Sequence, residues 1–318
     1  MTDRPLSFRL HLGAHRTGST RLQAALDAHA DLLARRGAAV LTPPRPGKRG
    51  GETIRAAARR AARVAASGFL PKRLLERHKL TRTLARLLPD DARQVVISEE
   101  NFLGDIFSVD GSGFYDEARG MLGALVSALP GHVETVCLAI RPYDDFLVSS
   151  YAMTAVYRPL DPPLRRFSEL KPALVAFRRG WPELVGDIAE VFGNARLEVW
   201  IGPTLPLAAQ LSLLLGDELS EGFAVEELEI VNAAPTAEAV ERGRLARQVR
   251  GASPDEIVER FRGGTPFDPL TAEEREGLRS RFAFDVRRLS ERRGLRLHGP
   301  APEFVDTARV EIPRTGGK

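Results

Sequence analysis

The sequence predicts an α/β fold with three layers, in which a mostly parallel sheet of five strands lies between two layers of helices. Short apolar segments alternate with segments of helical periodicity through the first 216 residues. The longest apolar segment, Val133–Ile140, has the character of a central strand in a parallel sheet. Residues 217–318 show helical patterns, which predict an added, mostly helical C-terminal region.

Five segments have the length, apolar content and flanking turn residues of strands. They are Leu6–Leu12, Ala38–Leu41, Val95–Ile97, Val133–Ile140 and Leu197–Ile201. Most segments between and after them repeat apolar residues with the period of a helix. The predicted helices are Ser19–Arg36, two basic stretches that end near Leu88, Tyr115–Leu129, Asp144–Tyr157, Leu205–Leu215, Thr236–Val249, Pro254–Phe261 and Thr271–Arg292. Thr271 and Glu274 predict a capping box at the start of the last helix. We expect one domain over residues 1–318, with an α/β core over 1–216 and the helical part over 217–318.

The composition argues against several classes of protein. The single cysteine, Cys137, cannot form an internal disulfide, so nothing indicates an oxidising compartment. No run approaches 18 apolar residues, and the N-terminus lacks the apolar core of a signal peptide. We therefore expect a cytoplasmic protein without stable membrane insertion.

Basic residues are concentrated between Arg45 and Arg93. That interval holds 12 lysine and arginine residues against four acids, although the net charge of the whole chain is only +4. Such a stretch attracts anions through its field. A solvated helical face is the simplest interpretation. Nucleic-acid binding is not expected, because no aromatic residues are interleaved with the charge.

The most informative motif lies between the first strand and the first helix. It runs from Gly13 through His15 and Arg16 to Gly18, followed by two hydroxyl residues. Backbone N–H groups of such a turn form an anion cradle with the helix N-terminus, and the glycine spacing is that of a nucleotide P-loop. A Walker A loop would continue with Lys, whereas this chain has Ser19 and carries its cation inside the loop. The alternative is a glycine-rich turn without a ligand.

A second motif follows the longest strand. Arg141 stands at the end of that strand, where ligands of open α/β sheets bind, and Ser149 lies about two helical turns further on. Pro142 suits the first turn of the helix between them. The alternative for Arg141 is a surface arginine that pairs with Asp144 or Asp145. The alternative for Ser149 is a serine on the helix surface.

Together the two motifs resemble those of sulfotransferases that use 3′-phosphoadenosine 5′-phosphosulfate, which have a P-loop-related fold, and in particular their bacterial branch. The resemblance implies that this nucleotide is the co-substrate, without a metal, and that Arg141 and Ser149 hold its 3′-phosphate. Arg16 stands where most members have Lys. Arginine keeps the charge but hardly releases a proton. The residues expected to bind the 5′-phosphosulfate are Gly13, His15, Arg16, Thr17, Gly18, Ser19 and Thr20.

Acid–base chemistry is expected at the end of the third strand. The attacking acceptor loses a proton, so a base must lie within hydrogen-bond reach of it. Glu100 is the first candidate and Glu99 the second, with Arg16 as the catalytic cation. Two solvated acids that begin a helix are the alternative. His15 also remains a candidate base, whereas His11 is expected to be a core histidine.

The function predicted from these features is transfer of a sulfuryl group to a hydroxyl or amine of an unidentified acceptor, with a carbohydrate or lipid head group favoured. Residues 158–180 and the basic stretch are expected to border the acceptor site, and Asn232 to be a turn residue before a helix. The alternatives are a P-loop ATPase or kinase, and a non-catalytic nucleotide-binding protein of the same fold. No cluster has metal-ligand spacing, and the oligomeric state stays open.

Overall fold

The fold is given by a computed structural model. It describes residues 6–43, 54–89, 92–107, 113–157, 164–202, 204–223, 234–246 and 253–299. Asn232 and the beginning of the 158–180 segment lie outside these ranges, as does the first part of the basic stretch.

The strands of the described residues form one parallel sheet of six. The strands are β1 (Ser7–His11), β2 (Ala38–Leu41), β3 (Gln94–Ser98), β4 (His132–Ile140), β5 (Arg196–Ile201) and β6 (Leu295–His298). Their order across the sheet is β2-β3-β1-β4-β5-β6, and every neighbouring pair is parallel. The predicted α/β class and parallel sheet are confirmed, and the five predicted strands are all present.

The sixth strand corrects the predicted strand count. β6 lies in the region predicted to be mostly helical and pairs with β5, from Leu197 beside Leu295 to Trp200 beside His298. Its four residues alternate leucine with arginine or histidine and come directly after the helical pattern of Thr271–Arg292, which favoured a helical prediction for this region. Pairing with β5 decides its conformation, because strand propensity depends strongly on tertiary context.

Helices cover both faces of this sheet. Their bounds are α1 (Ser19–Ala28), α2 (Ala30–Arg35), α3 (Ile54–Ala66), α4 (Leu70–Leu87), α5 (Ala118–Val126), α6 (Tyr143–Tyr157), α7 (Phe167–Val175), α8 (Trp181–Phe192), α9 (Leu207–Leu215), α10 (Asp217–Ser220), α11 (Ala237–Ala246), α12 (Pro254–Arg260) and α13 (Ala272–Ser290), with a 3-10 helix over Glu100–Leu103. The helix predicted over Ser19–Arg36 is divided at His29 into α1 and α2. The predicted capping box of Thr271 and Glu274 opens α13.

The two faces of the sheet bury separate apolar clusters, because successive residues of a strand point to opposite sides. On one side, Val96, Cys137 and Trp200 belong to a cluster with Leu22 of α1 and Leu211 of α9. The opposite cluster joins strand residues to apolar side chains of α5, α6 and α8, and its strand members include Phe8, Leu10, Val136, Leu138 and Val199. The result is a three-layer arrangement with the sheet in the middle.

The parallel direction of the strands brings their following loops to one edge of the sheet. Glu99, after β3, donates its backbone N–H to the carbonyl of His11 at 3.1 Å. Gly202, after β5, donates in the same way to Ile140 at 2.8 Å. This edge therefore collects the β1–α1 loop, the two glutamates after β3 and Arg141 after β4. None of the helices in the described residues combines the length and apolar content needed to cross a bilayer.

Candidate functional site

The β1–α1 loop has a strained backbone and leads directly into the N-terminus of α1. Gly18, the N-cap residue, has φ of +95°, and Arg16 has φ of +66° although it carries a side chain. A non-glycine residue in that region costs about 1–3 kcal/mol and is common at functional sites. Thr17 stabilises the turn by donating its hydroxyl to the carbonyl of Ala14 at 2.6 Å.

Gly13 is required by the close approach of two side chains. A Cβ atom at this position would lie 2.1 Å from Ser19 Oγ and 2.6 Å from His11 Cε1. The loop therefore sits directly on the first residue of α1. Ser19 Oγ is buried and has no hydrogen-bond partner among the described residues. A buried hydroxyl without a partner fits a site that an anionic oxygen would complete. Thr20 lies on the exposed side of the same turn.

Arg16, Ser149 and Arg141 form one cluster. Arg16 Nε donates a hydrogen bond to Ser149 Oγ at 2.8 Å. Arg141 Nη1 donates to the backbone carbonyl of Arg16, also at 2.8 Å. The second predicted motif therefore meets the first across the edge of the sheet, as residues of one site would.

The charges of this cluster are only partly neutralised. Arg141 lies 3.5 Å from the exposed Asp145, so part of the surface-pair interpretation of Arg141 is correct. Asp144 pairs instead with Arg275 and Arg279 of α13. Within the described part of the chain, no carboxylate forms an ion pair with Arg16. Burial lowers the pKa of the Arg16 guanidinium, and the like charge of Arg141 lowers it further. Among the described residues, the two neighbouring guanidinium groups have one ion-paired carboxylate between them, and such a pair attracts an anion.

Tyr115 is a site residue that the sequence did not indicate. Its hydroxyl accepts a hydrogen bond from the backbone N–H of His15 at 3.0 Å and lies 3.1 Å from His15 Nδ1. The sequence predicted Tyr115 as the first residue of a helix, but α5 begins at Ala118 and Tyr115 has φ of +53°. Arg179 donates to the carbonyl of Phe114 at 2.7 Å and supports this backbone. No local pattern in the sequence predicts the contact.

Glu99 and Glu100 occupy different environments. The side chain of Glu99 is fully buried and accepts a hydrogen bond from Asn101 N at 3.0 Å. Burial, and then the charge of Glu100, raise the pKa of Glu99 to about 7. Its Oε2 is buried without a partner among the described residues.

Glu100 lies next to α1. It is partly exposed, and its Oε2 accepts a hydrogen bond from Gln23 Nε2 of α1 at 3.2 Å. Burial raises the pKa of Tyr115, and the charge of Glu100 adds to that effect. The structure therefore places a partly exposed carboxylate beside α1, where it can meet a substrate.

His11 has the environment of a core histidine. It is buried, its Nδ1 lies 2.8 Å from Ser98 Oγ, and its ring stacks on Trp200. Burial lowers the pKa of His11 to about 3, so the imidazole is neutral at pH 7. These contacts agree with the structural role expected from the sequence.

The arrangement can bind an anion at the loop and hold a carboxylate beside it. Among the ranges that the structure covers, no group of three or more His, Cys, Asp or Glu side chains could hold a metal ion. Comparisons with protein-family models, with curated proteins and with solved structures gave no match to this chain.

Proposed function

We propose that the protein is a sulfotransferase that uses 3′-phosphoadenosine 5′-phosphosulfate as its sulfuryl donor and has a P-loop-related fold. The acceptor is a hydroxyl or amine, with a carbohydrate or a lipid head group favoured. The observation that carries this proposal is the convergence of Arg16, Ser149 and Arg141 at the C-terminal edge of the sheet.

The cluster suits a nucleotide with phosphate groups at two positions. Each guanidinium offers a planar fork that matches phosphate or sulfate oxygens. The loop adds backbone N–H groups at the α1 N-terminus, and Ser19 adds a hydroxyl without a partner among the described residues. The resemblance of both motifs to the sulfotransferases selects the 3′-phosphorylated donor from other nucleotides that such a site could accept.

The chain's own residues have separable tasks in the proposed reaction. Glu100 accepts the proton of the acceptor as the acceptor's oxygen or nitrogen forms the new bond to sulfur. The bond between sulfur and the bridging oxygen of the 5′-phosphate breaks in the same step. Arg16 and the loop amides stabilise the negative charge that develops on the departing phosphate. Positioning and charge stabilisation supply most of the rate, by analogy with phosphoryl transfer.

Two alternatives keep the same site. A P-loop ATPase or kinase would use an acid that follows β3, Glu99 or Glu100, to bind a metal. A non-catalytic protein would bind the nucleotide and transfer nothing. The first predicts a metal requirement, and the second predicts tight product binding without turnover.

Calorimetry in the presence of a chelator distinguishes these functions. We expect 3′-phosphoadenosine 5′-phosphate to bind without metal and more tightly than ATP. Equal or tighter binding of ATP that depends on Mg²⁺ would contradict the proposal. Radiolabelled donor and a panel of carbohydrates, lipid head groups and amines then test transfer. Nucleotide binding without labelling of any acceptor would favour the non-catalytic alternative.

A further inference from the structure

The beginning of α4 carries an apolar tip that the rest of the described protein does not cover. Phe69, Leu70, Leu74 and Leu75 are 69%, 65%, 54% and 52% exposed. Every residue from 68 to 75 is exposed, and the helix first buries a side chain at Glu76. Exposed leucine is ordinary when it is isolated, but four large apolar side chains within seven residues mark an interaction surface.

The helices around this tip are strongly basic. Residues 54–87, which include α3 and α4, contain ten arginine and lysine residues and one acid, Glu76. Glu76 already pairs with Lys79 at 2.7 Å. The net charge of this segment is therefore +9 in a chain of net charge +4, so the remainder of the chain is acidic. The charge complement of the tip is an extended anionic surface.

The distribution of the apolar side chains indicates a partner with an extended surface and not a single docked helix. A groove of about 620 Å³ runs beside α4, and Leu70 and Leu74 line it together with Arg73 and Arg77. A docked helix would fill that groove, but Phe69 and Leu75 do not line it. At about 100° of rotation per residue, Leu70, Leu74 and Leu75 spread over about 140° of the helix circumference, and Phe69 adds an apolar side chain just before the helix begins. A lipid interface surrounds such a tip on all sides, whereas a groove ligand covers one side.

We propose that this apolar tip, residues 69–75, docks the protein on an anionic lipid bilayer. Phe69, Leu70, Leu74 and Leu75 enter the boundary between head groups and acyl chains. The arginine and lysine side chains of α3 and α4 contact the lipid phosphates, and two of them, Lys72 and Arg73, lie within the tip itself. The contact is peripheral and is independent of the proposed sulfotransferase activity.

Co-sedimentation of the full chain with vesicles tests this proposal. We expect binding to vesicles with about 30% phosphatidylglycerol, weaker binding to pure phosphatidylcholine, and loss of binding at high salt. The double variant Lys72→Gln, Arg73→Gln should weaken binding about tenfold or more, since each basic residue near the surface contributes about fivefold. The double variant Phe69→Gln, Leu75→Gln should weaken it by about tenfold or more through lost apolar burial.

Matched variants elsewhere control for charge and apolarity. Arg292→Gln with Arg293→Gln makes the same change in net charge, and Phe284→Gln removes an exposed phenylalanine from α13. Both should bind vesicles as the unchanged protein does. Failure to bind anionic vesicles, equal binding to neutral ones, or equal losses in the control variants would overturn the proposal. Retained vesicle binding by Phe69→Gln, Leu75→Gln would also overturn it. Binding of a synthetic acidic amphipathic peptide without vesicle binding would assign the surface to a protein partner instead.

Discussion

Arg16 Nε donates a hydrogen bond to Ser149 Oγ at 2.8 Å, which joins the β1–α1 loop to the second turn of α6. The resemblance to sulfotransferases implies that Arg16 serves the 5′-phosphosulfate and Ser149 the 3′-phosphate. In the structure the two side chains are hydrogen-bonded to each other, so a nucleotide that contacts one of them also lies next to the other. The loop and α6 are thus expected to respond together to nucleotide.

Ser149→Ala should weaken 3′-phosphoadenosine 5′-phosphate binding about tenfold. The hydroxyl is expected to contact phosphate, and hydrogen bonds to charged groups contribute about 1.5–3 kcal/mol. Ser150→Ala is the neighbouring control, because the buried Ser150 Oγ has no hydrogen-bond partner among the described residues. Calorimetry on both variants makes the comparison. Equal affinities for the two variants would remove Ser149 from the site.

Arg141→Ala should weaken binding of the 3′-phosphorylated nucleotide by about ten- to a hundredfold. The affinity for adenosine 5′-phosphate should fall less, since this nucleotide lacks the 3′-phosphate that Arg141 is expected to hold. Some loss is expected even there, because Arg141 also supports the carbonyl of Arg16 at 2.8 Å. Titration of one protein sample with both nucleotides gives the ratio. Equal weakening of the two would make Arg141 a loop-positioning residue only.

Glu100→Gln should reduce turnover by about 10²–10⁴-fold, the usual contribution of a general base. Nucleotide affinity should stay unchanged, since the carboxylate is expected to face the acceptor. Glu99→Gln is the matched variant and should retain more activity, because Glu99 is fully buried. The measurement is steady-state transfer to an acceptor found by screening. Near-full activity of Glu100→Gln together with loss in a His15 variant would assign the base to histidine.

The buried Glu99 should make stability fall as the pH rises. Its pKa is about 7 in the folded protein and near 4.5 when unfolded, so the folded state binds the proton more tightly. Stability is therefore lost between about pH 4.5 and pH 7, by at most about 3 kcal/mol. Glu99→Gln removes the titrating group and should flatten that dependence. Urea unfolding at pH 5 and pH 8 measures it, with Glu276→Gln on the exposed side of α13 as control. An unchanged pH dependence in Glu99→Gln would refute this explanation.

Gly13→Ala should destabilise the protein by about 1–3 kcal/mol and weaken nucleotide binding. The new methyl would overlap Ser19 Oγ and His11, and overpacking at a close contact forces the backbone to move. Gly277→Ala adds the same atom inside α13, where no heavy atom lies within 4 Å of its position. That control should stabilise the helix by about 0.5–1 kcal/mol. Thermal unfolding distinguishes the two, and equal effects would show that Gly13 has no packing role.

The sequence alone determined the features that depend on neighbours along the chain. Apolar periodicity predicted the first five strands and most helices. The spacing of Gly13, Arg16 and Gly18 marked the turn between a strand and a helix. The capping box at Thr271 was visible in the same way. Each of these signals comes from local backbone and burial requirements, which a short window of residues contains.

Only the tertiary structure decided which distant residues meet. β6 becomes a strand because β5 offers it an edge, and Tyr115 reaches His15 across 100 positions of the chain. The contact of Arg16 with Ser149 spans 133 positions. The raised pKa of Glu99 follows from burial that its own neighbours do not dictate. Such properties arise from packing between elements, where energies depend on distances and desolvation, and local sequence carries no direct record of either.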